Sequence, residues 1–493
     1  MSPVIRINGT GYEAPEGSNV LGVALQTGAK IPTMCYMAGY GHGSSCMVCV
    51  VKDRASGKLI PACAAPVRSG MDIETSSGEV REARKAALEL LLGEHVGDCE
   101  GPCRMGCPAH MDIPLMIRRV AGREPTEAIA AVKEDIPFPG VMGRICPAPC
   151  QKVCRRKDRD EAVSVRTIER HVADADRATG AAYVPPAKPG SGKRVAIVGA
   201  GPAGLSAAYF LLREGHECEV FDENGEPGGG LRSGVPRERL PLDVLDAEID
   251  TVRRLGAVFT MNTRVGREVS LEDLAARFDA VVVAAGDGRG ELDAGREGTF
   301  PAGPSGGSGR MAIRAVANGR AAAVSVDQFL RGVEVTGMPR LFNSRIGKLQ
   351  EGEIDEFMTG ADPGPPAESA EAEAARCLHC DCLKKDVCRL RAYSIEYGAS
   401  PEKYRSPERK RVEKIGGESS VIYEPGKCIK CGLCVRITEK SGGGPGLAFI
   451  GRGFDVRVGV PFGGTLEEGL GNAAAQCVEA CPTGALAFRR AAR

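Results

Sequence analysis

Twenty cysteines decide what this 493-residue chain can fold into. Nineteen of them fall in clusters, and only Cys218 lies in the glycine-rich middle. A secreted scaffold stapled by disulfides would be shorter, and a cytosolic chain keeps its thiols reduced. Thiolates two or three residues apart can converge on one metal centre, because a tight turn brings their side chains inward. Zinc and iron–sulfur are the candidate metals. With only six histidines in the chain, and a proline directly after several of the cysteines, the balance falls on iron–sulfur.

The length predicts roughly three domains. Sixty-four basic residues balance sixty-four acidic ones, so no charge-driven attraction to nucleic acid or to an anionic membrane is implied. Tryptophan is absent and aromatics are sparse, which argues against base-stacking surfaces. No apolar run has the length of a spanning helix and the first residues do not read as a signal peptide, so a cytoplasmic location is expected.

Residues 1–80 read as short strands with glycine turns, followed by a helix at "REARKAALELLL". From Cys99 to about residue 182 the pattern is helical, broken at Cys-Pro turns. "VPPAKPGSG" (184–192) and "ADPGPPAES" (361–369) are linkers by composition. Strand and helix signals alternate over 193–345. The expected domains are 1–80, 81–185, 193–345, a Cys-rich segment 366–410, and 411–493.

The sharpest motif is "KRVAIVGAGPAGLSAAYF". Gly199, Gly201 and Gly204 follow an apolar strand and open a helix, with Pro202 and Ala203 between them. That context specifies a dinucleotide site: a tight turn, close backbone approach to a pyrophosphate, and a helix packed on the sheet. Asp222, with Glu223 beside it, ends the second strand and is placed for a ribose hydroxyl.

Four thiols at C-x10-C-x2-C-x13-C (Cys35, Cys46, Cys49, Cys63) suffice for a [2Fe–2S] centre, with zinc as the alternative. This region resembles the ferredoxin-like domain of the large iron–sulfur subunit of respiratory complex I and of related hydrogenases and formate dehydrogenases. The next two runs, Cys99, Cys103, Cys107 and Cys146, Cys150, Cys154, resemble the N-terminal domain of the glutamate synthase small subunit and of dihydropyrimidine dehydrogenase. That resemblance implies two [4Fe–4S] clusters shared between the runs, one on Cys99, Cys103 and Cys154, the other on Cys107, Cys146 and Cys150. The family's run has one more leading cysteine. His95 is the nearest replacement, and Glu169 falls where the family places a carboxamide or carboxylate near the second cluster.

The dinucleotide segment is similar to the FAD half of glutamate-synthase-like flavoproteins. FAD is therefore implied at the fingerprint, at Gly229, Gly230 and Leu231, at Ala285 and Gly286, and at Gly303 in a closing segment. That segment has Ala302-Gly303-Pro304 where the family usually has Ala-Gly-Asp. The family also inserts a second, NAD(P)H-binding Rossmann unit between residues such as Gly286 and Phe300. Here a dozen or so residues remain, and a βαβ unit needs roughly thirty.

Cys377, Cys380, Cys382 and Cys388 could close one [4Fe–4S] site unaided, with zinc again the alternative. Cys428, Cys431, Cys434 and Cys481 resemble half of a two-cluster ferredoxin. Thr438 stands where a fourth cysteine would be expected, and Cys477 is left over. The fold expectation is multidomain α/β and α+β: a β-grasp [2Fe–2S] domain, a helical iron–sulfur domain, a truncated Rossmann-like FAD domain and a C-terminal [4Fe–4S] ferredoxin-like domain. With one FAD, one [2Fe–2S] and about four [4Fe–4S] clusters, the resemblances imply an electron-transfer subunit of a multi-subunit NAD(P)-linked oxidoreductase. Its partners would be an NAD(H)-binding diaphorase-type subunit and a catalytic dehydrogenase or hydrogenase subunit. The alternatives are a self-sufficient NAD(P)H-dependent oxidoreductase and a structural iron–sulfur adaptor with a degenerate flavin site.

Overall fold

The computed structural model describes residues 2–489 except 42, 287–295, 304–310, 359–360, 363, 365 and 418. The chain divides into two compact units. One contains Met1–Glu100, Phe342–Thr359 and Asp381–Ala492, and the other contains Gly101–Leu341 and Gly360–Cys380.

In the first unit, five short strands form a mixed sheet in the order Thr10–Glu13, Val4–Ile7, Asp72–Glu74, Val50–Asp53, Lys58–Pro61. Val4–Ile7 runs parallel to Asp72–Glu74, and the other pairings are antiparallel. The helix Val20–Gln26 buries Val20, Leu21, Val23 and Ala24 in one core with Ile5, Ile7, Val51 and Ile73. The Asn19 side chain caps that helix by accepting the Gly22 amide at 2.7 Å. This is the expected helix-across-sheet arrangement. The rest of the unit includes the helices Gly78–Gly93, Glu353–Met358 and Arg389–Tyr397 and a small terminal core. There Val421–Tyr423 pairs with Leu486–Phe488 and the helices Leu433–Ser441 and Ala474–Ala480 pack together.

The second unit begins with short helices, five of which have proline at their first or second position (Pro102, Pro114, Pro125, Pro139, Pro149). Proline fits there because its fixed φ suits the first turn and its missing N–H would be unpaired anyway. A parallel five-stranded sheet follows, ordered Thr299–Pro301, Ala280–Val283, Arg194–Val198, Glu217–Phe221, Val258–Thr260. Helices Pro202–Arg213 and Ala312–Leu330 pack against each other and on this sheet. One continuous core runs from Met116 and Ile168 of the helical part to Ile197 and Val282 of the sheet. The linker 184–192 therefore does not separate two independent cores. Among the described residues, no helix is long and apolar enough to cross a membrane.

Candidate metal centres and dinucleotide site

Eighteen of the twenty cysteines gather in five sets. In the first, Cys46 and Cys63 thiols hydrogen-bond to the Cys35 sulfur and hold it far below the ordinary thiol range. Cys46 and Cys63 are pushed up by the same sharing and by burial. Cys49 is lowered to about 7 by Cys63. All four are buried in the sheet domain.

A second set sits in the same unit. The Cys382 amide donates to the Cys99 carbonyl at 3.2 Å, and Cys388 is pushed up to about 11 by burial and then by Cys382 and Cys99. The Asn343 side chain fixes this turn by accepting the amides of Cys99 and Glu100 at 2.8 and 2.9 Å. His95 is half-buried beside Lys427, whose ammonium faces Cys382, and the His95 Nδ1 is enclosed without a hydrogen-bond partner. Burial lowers the ring to about 3.

In the other unit, burial raises Cys103, and the thiols that reinforce the shift are Cys377, Cys380, Cys154 and Cys150, in that order. The thiol neighbours of Cys103 thus differ from the expected grouping of Cys99 with Cys103 and Cys154, and from the expected closing of Cys377, Cys380, Cys382 and Cys388 on themselves. Cys99, Cys382 and Cys388 belong to one unit, and Cys103, Cys154, Cys377 and Cys380 to the other. A fourth set is formed by Cys107, Cys146 and Cys150 around Glu169, whose charge raises all three after burial. Glu169 is itself buried, its carboxyl raised to about 8 by desolvation and then by Glu248, and its Oε1 has no partner. His110, by contrast, is held in a local turn, with its Nδ1 3.3 Å from the Arg104 carbonyl.

The fifth set comprises Cys428, Cys431, Cys434 and Cys481: after burial, Cys481 raises the other three thiols, and Cys428 raises Cys431 and Cys434. Cys477 is buried beside it, its thiol 3.8 Å from the Cys434 carbonyl. Thr438 bonds to the carbonyls of Cys434 and Val435 and accepts the Leu447 amide, a helix-packing role. Cys218, the remaining thiol, is buried in the strand Glu217–Phe221.

The sets suit iron–sulfur clusters in their donor chemistry. Among the described residues no three His, Cys, Asp or Glu close on a seat for a single ion. What they offer is thiols in groups with backbone amides aimed at them. Ser44, Met47, His110, Ala148, His379 and Lys430 are non-glycine residues with positive φ, and all lie in the cysteine turns. Such turns present amides to an anionic sulfur cage. The His379 and Lys430 amides lie 3.5 and 3.4 Å from the sulfurs of Cys377 and Cys428.

The dinucleotide loop is built as its motif requires. A Cβ on Gly204 would lie 1.9 Å from the Gly199 carbonyl, whereas one on Gly201 would meet nothing within 4 Å, leaving open space above the N-terminus of Pro202–Arg213. A Cβ on Gly229, ahead of the short turn containing Gly230 and Leu231, would come within 2.9 Å of the Gly201 Cα. Asp222 accepts the Ala200 amide at 2.6 Å and the Asn224 amide at 2.9 Å, so it braces the loop itself. Glu223 faces Arg264 at 3.7 Å. Ala285 and Gly286 follow the strand Ala280–Val283, and the Gly303 carbonyl accepts the Asn318 side chain at 3.3 Å. Pro304 lies outside the described residues.

Three residues escaped sequence reasoning. Arg156 and Arg376 are fully buried, and Gly319 lets the helix Ala312–Leu330 touch the Ala203 carbonyl, where a Cβ would come within 2.1 Å. The small-residue run around Gly319 was the only available signal.

Comparison with known proteins identifies three of the domains. Residues 4–78 match the family described as 2Fe-2S iron-sulfur cluster binding domain. Residues 94–181 match dihydropyrimidine dehydrogenase domain II, 4Fe-4S cluster, and residues 197–255 match the NAD(P)-binding Rossmann-like domain. The NADPH-Fe(3+) oxidoreductase subunit beta of Geobacter sulfurreducens is 40% identical over 187 residues, 38% of this chain and 28% of that protein. The NADP(+)-dependent formate dehydrogenase subunit beta of Moorella thermoacetica is 38% identical over 206 residues, 38% of this chain and 29% of that protein. The NAD-dependent dihydropyrimidine dehydrogenase subunit PreT of Escherichia coli is 36% identical over 211 residues, 42% of this chain and 51% of that protein. The matches thus span between about a quarter and a half of these relatives' own lengths. The chain joins a 2Fe–2S cluster-binding domain, a 4Fe–4S domain of the dihydropyrimidine dehydrogenase type and a Rossmann-like dinucleotide domain, and it is related to subunits of NAD(P)-linked oxidoreductases.

Proposed function

We propose that this chain is an electron-transfer subunit of a multi-subunit NAD(P)-linked oxidoreductase, holding one FAD and five iron–sulfur centres. The observation that carries the reading is the gathering of eighteen cysteines into five sets in a chain that also has an open dinucleotide loop. When bound, a flavin exchanges electron pairs with a hydride donor and clusters move electrons singly. The chain's own part is to hold, bury and tune. The backbone at Gly201–Ala203 receives the pyrophosphate at a helix N-terminus, and buried thiols with amide donors set the surroundings of each cluster.

Only residues 284–298 join the strands Ala280–Val283 and Thr299–Pro301, which lie side by side in the sheet. That span is too short for a second nucleotide-binding unit, which needs roughly thirty residues. Nicotinamide chemistry is therefore assigned to a diaphorase-type partner, and substrate chemistry to a catalytic dehydrogenase or hydrogenase subunit, in the cytoplasm. The beta-subunit names of two relatives support a multi-subunit assembly.

The test is an anaerobic absorbance titration of the full chain, after assay of iron and FAD, with NADH, then NADPH, then dithionite. Neither nucleotide should bleach a flavin that dithionite reduces. Stoichiometric bleaching by either would make the chain a self-sufficient reductase, and iron without FAD would make it a structural adaptor.

A further inference from the structure

We infer that Cys103, Cys154, Cys377 and Cys380 hold a single [4Fe–4S] cube assembled from two remote segments, which buried Arg156 and Arg376 lock together. The inference rests on the reading of the sets as iron–sulfur sites and adds which thiols share a cluster and what positions them.

The run Cys99, Cys103, Cys107 cannot provide a full cube, and Cys99 belongs to the other unit with Cys382 and Cys388. Cys103, Cys154 and Cys377 all pack on one core. The turn from Cys377 to Cys380 is also shaped for ligation. Its third residue, His379, has φ 44° and lies with its amide 3.5 Å from the Cys377 sulfur. The Cys428–Cys431 turn has the same form, with Lys430 at φ 54° and its amide 3.4 Å from the Cys428 sulfur. Two independent C-x2-C turns thus share one geometry, and the first supplies the pair of thiols that Cys103 and Cys154 lack.

The lock lies directly beneath. Arg156 is two residues beyond Cys154, and Arg376 immediately precedes Cys377; both are fully buried. Arg156 grips Asp160 with Nε and Nη2 at 2.8 Å each, reaches the Gly364 carbonyl at 3.1 Å and donates to the Arg376 carbonyl. Arg376 returns the contact, donating to Asp160 at 3.2 Å and to the Glu161 carbonyl at 3.1 Å, while Glu373 pairs with it at 2.8 Å. Glu373 also accepts the Ser164 amide at 2.7 Å. Two buried guanidiniums would be strongly unfavourable unless their donors were used, and here each side chain binds the segment that carries the other. That reciprocity fixes the position of Cys377 against Cys154. Arg156 and Arg376 are positioning residues and make no bond to the cluster.

The test counts iron and acid-labile sulfide in the full-length protein purified anaerobically, with low-temperature EPR after dithionite. Cys154→Ala and Cys377→Ala should each lose about four irons, and the double variant should lose no more than either single one. Cys154→Ala combined with Cys382→Ala should lose about eight, since two clusters are then broken. The opposite pattern, with Cys377→Ala and Cys382→Ala removing one shared cluster, would overturn the pairing. Metal that assays as zinc in the wild-type protein would reject the iron–sulfur reading, yet the same shared-loss pattern would keep the pairing. Should a double variant prove insoluble, Arg376→Gln leaves every cysteine in place. Selective loss of one EPR signal on mild chelation supports the lock, and wild-type iron retention and spectrum reject it.

Discussion

Glu353 and Arg409 meet at two points, Oε1 to Nη1 and Oε2 to Nη2, each at 2.6 Å. The same carboxylate accepts the Val412 amide and the Gln350 amide at 2.7 Å each. Burial alone would raise this acid, but the Arg409 guanidinium and the two amides outweigh it and hold it at about 2. An ordinary glutamate titrates at about 4.3 in the unfolded chain. The contribution is therefore complete above about pH 5 and is lost as pH falls towards 2. Glu353→Ala should cost roughly 3 kcal/mol at pH 7, because it leaves a largely buried guanidinium without its counter-charge. Denaturant midpoints followed by circular dichroism, at pH 7 and at successively lower pH, should show the gap from wild type narrowing with acid. A gap independent of pH would remove the ion pair as its cause.

Gly201 and Gly319 should separate flavin binding from folding. No atom would lie within 4 Å of a Cβ on Gly201, so Gly201→Ala should fold with a wild-type melting temperature while crowding the pyrophosphate seat. A Cβ on Gly319 would come within 2.1 Å of the Ala203 carbonyl and 2.8 Å of the Ser206 Cβ. Gly319→Ala should therefore force the two helices apart and destabilise the unit by about 1–3 kcal/mol. Flavin per chain and thermal midpoint, read together, check both. Full flavin in Gly201→Ala would place the dinucleotide elsewhere.

How much of this was legible in the sequence varies with the range of the interaction. The fingerprint at Gly199–Gly204 and the spacing of Cys35, Cys46, Cys49 and Cys63 could be read because a short segment carries its own geometry. Which thiols share a site could not. Cys99 and Cys103 are four residues apart, yet the chain passes from one unit to the other between them, and it crosses back between Cys380 and Asp381. Which thiols come together depends on tertiary closure, which spacing alone does not carry. Arg156 and Arg376 were invisible for another reason: arginine is mostly exposed, and only the acids and carbonyls around these two explain their burial.

Arg84 joins the cluster-bearing sheet to a helix that follows Cys388. Its Nε and Nη2 donate to the Val50 carbonyl at 3.0 and 2.9 Å, and its Nη1 donates to the Tyr397 hydroxyl at 3.0 Å. Val50 directly follows Cys49, and Tyr397 ends the helix Arg389–Tyr397. Tyr397→Phe removes one charge-assisted bond and should cost about 1.5–3 kcal/mol. Arg84→Met should cost more, because the Val50 carbonyl also loses its side-chain donors. In the double variant the tyrosine change should add little, and full additivity in denaturant midpoints would deny the contact.

Glu169 is the residue whose role a single pair of substitutions can decide. Its carboxyl is buried among Cys107, Cys146 and Cys150 with Oε1 unpartnered, while nearby Glu248 is satisfied by the amides of Gly140 and Val141. A buried polar atom without a partner is unfavourable, so the position fits an oxygen ligand that completes a three-thiol site. Glu169→Gln keeps an oxygen of similar reach and should retain the full iron content with an altered EPR line shape. Glu169→Ala should lose about four irons, or leave a cluster that EDTA strips faster than the others. If the alanine variant keeps both iron and spectrum, three thiols and some other donor hold that cluster, and Glu169 is only its buried neighbour.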